Sequence, residues 1–147
     1  MDQMQDQPTG RSWRSGFILF FALAALLCAA AFLVGISDNP PGILLAYGAC
    51  ACVILAWAHR WRRPGPFLKL AIASLVGFFV GAVLHNLLYA VAHSWPNLPG
   101  VILGLVEGLH VAFFLIAVLL CPPGVLIGVI GWLSTGIWRW AHHRHAT

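Results

Sequence analysis

Charge is what this sequence has least of. Only 8% of its 147 residues are charged, and Asp and Glu together number four. A soluble domain carries about a quarter charged residues, because those side chains cover its surface. A fold this poor in charge argues against water as its main solvent. No long polar stretch remains to build a second domain. The single glutamate, Glu107, cannot supply a paired-carboxylate site alone. The four cysteines, Cys28, Cys50, Cys52 and Cys121, form no CxxC and no zinc spacing, so neither a disulfide framework nor a zinc module is expected. No phosphate loop or dinucleotide motif occurs, and Ser74, Ser94, Ser134 and Thr135 have no acidic partner in a nucleophile–base arrangement. There is no basic, aromatic-laced soluble module of the kind that binds nucleic acid. Alternation of the kind a membrane barrel requires is missing too.

Apolar residues fill the space. They make up 61% of the chain and fall in five runs, Phe17–Ile36, Ile43–Ala58, Phe67–Ala92, Val101–Cys121 and Val125–Trp138. Such runs predict helices crossing hydrocarbon, where each backbone group must be satisfied within its own segment. The expected fold is an all-α integral membrane helical bundle of four transmembrane helices plus a fifth over the last run. The expected domains are a disordered cytoplasmic N-terminus (1–12), the transmembrane bundle (13–141) and a polar C-terminal tail (142–147). Arg11 and Arg14 ahead of the first run imitate a signal peptide, but the run exceeds the usual length of such a core. It reads as a retained first span.

Proline precedes every later run, in "SDNPPG" (37–42), "RRPGPF" (62–67), "SWPNLPG" (94–100) and "CPPG" (121–124). Proline suits a first helical turn, and Asp38 or Asn39 is placed to cap the second helix. Arg60, Arg62, Arg63 and Lys69 flank one connector, whereas 37–42 and 94–100 contain no Lys or Arg. The positive-inside rule then puts the N-terminus and the 60–69 connector in the cytoplasm of a bacterial inner-membrane type protein. Trp57, Trp61, Trp95, Trp138 and Trp140 lie near segment ends, as an aromatic belt would. A fifth crossing, over residues 124–141 and about 27 Å long, sends the C-terminus outside and takes Arg139 and Arg144 with it, against the charge rule.

Helices in lipid associate through small faces and polar contacts. Gly77-x3-Gly81, Gly100-x3-Gly104-x3-Gly108 and Gly124-x3-Gly128 are expected to pack within the chain, with a homo-oligomer seam as the alternative.

Polar residues inside the runs gather in one place: His85, Asn86, Tyr89 and His93 in the third run, Glu107 and His110 in the fourth. A short connector makes those runs an antiparallel hairpin, with His85 opposite residue 109. At 100° per residue, Glu107 shares an arc with Leu103, His110, Val111 and Phe114, and His85 shares one with Phe78, Gly81, Ala82 and Tyr89. Glu107 is then expected to pair with His110 or His85, because a lone charge in a span costs about 2.5–3.5 kcal/mol. The cluster His85, Asn86, Tyr89, Glu107 and His110 is the candidate site. Glu107-x-x-His110 has the spacing of carboxylate di-iron bundles, but their further carboxylates are missing. His85, Glu107 and His110 are candidate metal ligands, and the two histidines candidate haem ligands. His142, His143 and His145 lie in a terminal tail without fixed geometry. The functional expectation is a non-enzymatic membrane component, a subunit or transport-related protein partnered by the lipid bilayer and by itself or another membrane subunit. The alternative is a redox, metal, haem or proton-transfer protein.

Overall fold

The computed structural model describes residues 11–36, 39–95 and 99–144, and the side chains from 14 to 141 among them. The described residues form five α-helices and one π-helical turn: α1 (Arg11–Val34), α2 (Pro40–Ala58), α3 (Pro64–Ser94), α4 (Gly100–Leu115), a π turn (Ile116–Leu120) and α5 (Cys121–Arg144). Residues 1–10, most of the N-terminal segment expected to be disordered, lie outside the described residues, as does His145; α1 already begins at Arg11, and α5 runs into the expected tail. The chain divides into two compact units, Met1–Arg60 and Trp61–Thr147.

The first unit is an antiparallel hairpin of α1 and α2. Its seam is built from small side chains: Ala24, Ala31, Ala46, Ala49, Cys52 and Ala56 are all buried. Small residues let the backbones approach, which is how helices gain dispersion contacts where lipid already solvates leucine. At the turn, Gly35 ends α1 in the left-handed region (φ 86°), and its N–H donates to the Ala31 carbonyl at 2.9 Å. This is the usual glycine stop. A Cβ on Gly42 would overlap the Gly35 carbonyl oxygen, so the chain can close here only with glycine at 42.

Asn39 takes the N-cap position of α2, but its side chain makes no cap bond. Its Nδ2 instead donates 2.9 Å back to the Val34 carbonyl, an orphan acceptor at the end of α1. Pro41 favours this choice, since at the second helical position it removes one of the two N–H groups a cap would serve. Asp38, the other expected cap, lies outside the described residues.

In the second unit α3 lies antiparallel along one unbroken helical rod. Helix continues from Gly100 through Ala141, with no turn at 121–124. The expected separation of a fourth and a fifth helix at "CPPG" is thereby corrected. Pro122 and Pro123 sit inside the rod, not at the start of a new hairpin. In a regular α-helix their rings would press on the carbonyls of Val118 and Leu119, at about 3 kcal/mol or more each. The π turn lies directly ahead of them. There the Cys121 N–H donates to the Ile116 carbonyl, five residues back, and the wider turn accommodates the pair without breaking the helix.

The register of the hairpin can be followed glycine by glycine. A Cβ on Gly77 would meet Cys121 Sγ at 3.4 Å; on Gly81, the Ala117 Cβ at 3.1 Å; on Gly128, the Ala71 backbone nitrogen at 2.6 Å. Phe67 lies against Gly131 and stacks edge-on with Trp61 at 5.2 Å. Gly77, Gly81 and Gly128 thus serve packing within the chain. Gly100, Gly104 and Gly108 do not: a Cβ on any of them would meet nothing within 4 Å.

Candidate functional site

α3 carries His85, Tyr89 and His93 four residues apart, so their rings rise in one row along the helix. Gly81, one turn below His85, draws the rod close, with a would-be Cβ 3.2 Å from the Phe113 carbonyl oxygen. That approach brings His110 of α4 to the row. His85 Nδ1 lies 3.0 Å from the His110 carbonyl oxygen. A carbonyl only accepts, so the His85 Nδ1 carries the hydrogen and the neutral ring keeps its free lone pair on Nε2. The same geometry recurs at His93, whose Nδ1–H donates to the Tyr89 carbonyl at 3.0 Å.

Rings fill the space around His85. Its centroid lies 5.1 Å from His110, 5.1 Å from Phe114 and 6.5 Å from Tyr89. Tyr89 in turn sits 4.0 Å from His93 and 5.8 Å from His110. His110 Nδ1 is buried without a hydrogen-bond partner. An orphaned nitrogen costs about 1–3 kcal/mol, so among the described residues this is the buried side-chain atom of the cluster that the fold leaves unserved.

The other expected members stand apart. Asn86 Nδ2 donates to the Ala82 carbonyl of its own helix at 2.8 Å and is exposed. Glu107 is exposed, and among the described residues it makes no hydrogen bond or ion pair with either histidine. The helical wheel gives the reason. The half-buried or buried positions Leu103, Val106, His110, Phe113 and Ala117 define the face of the rod toward α3, and Glu107 lies about 80° from its centre. Among the described residues no group of three His, Cys, Asp or Glu converges as a metal would need. What the arrangement can do is hold a proton on, or pass one between, two imidazoles beside a phenol.

His93 completes the ring row, and the π turn begins one helical turn past Phe113. The signal for that turn was two adjacent prolines inside an apolar run with no polar residue beside them. In the first unit His59 donates from Nδ1 to the Leu55 carbonyl at 3.1 Å, with Nε2 buried and unpaired against Gly16. Compared with protein-family models, curated proteins and solved structures, the chain matches none.

Proposed function

We propose that this chain is a multi-pass integral membrane protein of the bacterial inner-membrane type, crossing four times with both termini in the cytoplasm. It works there as a non-enzymatic component, a subunit or transport-related protein. One observation carries the membrane reading: apolar bulk lies outside and small residues inside. Among the described residues, nine of the twelve buried apolar residues are alanine and no polar residue is buried, while Phe32 and Leu33 are each 84% exposed. In water such a surface would aggregate; in lipid it is the solvated face. Among the described residues, four helices are long and apolar enough to cross.

The unbroken rod supports four crossings in place of five. α3 has 31 residues, about 46 Å, close to the thickness of a bilayer with its headgroups. The rod runs back along α3, and its Trp138–Arg144 end continues past the start of α3. With four crossings all eight Lys and Arg, from Arg11 to Arg144, share the cytoplasmic side, which the charge rule favours. A reporter fused after Thr147 should be active only in its cytoplasmic form, and the protein should resist carbonate extraction. A periplasmic signal would overturn the four-crossing topology, and carbonate release would overturn the membrane reading.

The contact between His85 and His110 favours a second reading, proton transfer at that pair with Tyr89 and His93 as neighbours. Purified protein in detergent should then show coupled protonation of the two histidines by nitrogen NMR. A spectrum in which each titrates unaffected by substitution of the other would sink it.

A further inference from the structure

We propose that the end of the second unit formed by the start of α3 and the last turns of α5 is a binding surface for anionic phospholipid headgroups. This rests on the membrane reading above and goes beyond it, because it names a lipid class and the residues that select it. Antiparallel pairing places the two helix ends together: Phe67 of α3 lies against Gly131 of α5, and Trp61 stacks on Phe67. Every Lys and Arg of this unit belongs to that end. Arg62, Arg63 and Lys69 come from the α3 side and Arg139 from the α5 side, and all four are exposed. The only acid among residues 61–147 is Glu107, on α4 near the opposite end of the hairpin. Among the described residues no carboxylate side chain pairs with these cations.

Indole rings stand with them. Trp132, Trp138 and Trp140 are 42%, 62% and 58% exposed. Tryptophan of this kind settles at headgroup depth, where an apolar ring and a polar N–H both find partners. The aromatic belt therefore fixes the depth at which the guanidinium and ammonium groups meet the bilayer, at the level of lipid phosphates. Arginine suits that partner through its paired N–H donors. Cations are supplied from both helices, so a headgroup seated over the seam meets positive charge on two sides. A neutral zwitterionic headgroup brings its own cation and gains less.

The test uses the full chain in nanodiscs of phosphatidylcholine with a minor fraction of phosphatidylglycerol, released into a native mass spectrometer. Bound phosphatidylglycerol should exceed its share of the bilayer. Arg62→Gln with Arg63→Gln should weaken that preference about thirtyfold, at about fivefold per cation at an anionic surface. Arg62→Lys with Arg63→Lys should keep most of it, and Glu107→Gln should keep all of it. If the glutamine variant fails to insert, the wild type decides alone: the excess should fall steeply with ionic strength. Adducts that mirror the bulk composition, or an excess indifferent to salt, would overturn the proposal. Displacement of the lipid by millimolar inorganic phosphate would also overturn it, since a soluble anion would then be the ligand. A chain that never enters the nanodisc refutes the membrane reading instead, so the two failures are distinct.

Discussion

Gly81 of α3 faces Ala117 of the π turn so closely that a Cβ on the glycine would stand 3.1 Å from the alanine's. This approach lies one helical turn below His85 and sets the separation at which His85 reaches the His110 carbonyl. Gly81→Leu should therefore destabilise the hairpin by roughly 1–3 kcal/mol, the usual range for overpacking, and should break the histidine contact. Gly104→Leu, where a Cβ meets nothing, should stay within about 0.5 kcal/mol of wild type. Unfolding by SDS, followed by circular dichroism, measures both. Equal losses would mean that α4 packs through its glycine face as well.

The turn of the first unit makes a parallel case. Gly35→Ala forces an L-residue into the left-handed region at φ 86°, for about 1–2 kcal/mol. Gly42→Ala should cost more, because its methyl group would overlap the Gly35 carbonyl oxygen and the chain cannot move aside without opening the hairpin. The same unfolding assay should rank Gly42→Ala below Gly35→Ala and both below wild type.

Much of this fold is legible in the letters, and the exceptions have physical causes. The long apolar runs specify helices, as the proposed lipid setting would demand of any backbone that must satisfy itself. α1 stops where Gly35 takes the left-handed region, and within "SDNPPG" Pro40 and Pro41 already form the first turn of α2. "CPPG" uses the same prolines but follows "IAVLL" without glycine, asparagine or aspartate. The helix continues through it, and the wide turn at Ile116–Leu120 takes up the strain of the prolines. At the candidate site, residue spacing on α3 was enough to align His85, Tyr89 and His93. The azimuth of Glu107 was not, because the arc drawn around it also held His110. Only the packed face, centred on Val106, His110, Phe113 and Ala117, separates the two.

That azimuth has a consequence for Glu107. It contributes no bond to the hairpin among the described residues, and on the membrane reading proposed above its carboxylate is a liability for insertion. Glu107→Leu should leave the SDS unfolding midpoint unchanged while improving insertion of the 100–120 segment by about 2 kcal/mol, somewhat below the value for a charge at the centre of a span. A translocon insertion assay with that segment reads the second quantity. His85→Leu should behave oppositely: it leaves insertion intact or improved and lowers hairpin stability by about 1 kcal/mol through the lost bond to the His110 carbonyl. If Glu107→Leu destabilised the hairpin more than His85→Leu, the assignment of the packed face would be wrong.

Pro122 and Pro123 offer the sharpest test of the rod. If they are the cause of the π turn, replacing both with alanine removes the ring clash and restores two N–H groups. The carbonyls of Val118 and Leu119 then regain their ordinary donors, and the Ile116 carbonyl should exchange its Cys121 partner for Leu120. Hydrogen exchange in detergent should show protected amides at 122 and 123, with protection spreading through residues 116–121. Closing the turn also rotates α4 relative to α5, because a five-residue step becomes a four-residue one. Gly77 against Cys121 and Gly81 against Ala117 cannot both survive that rotation, so the more regular helix should form a weaker hairpin. A variant with protected amides and an unchanged unfolding midpoint would show that the prolines shape the rod without setting its register on α3.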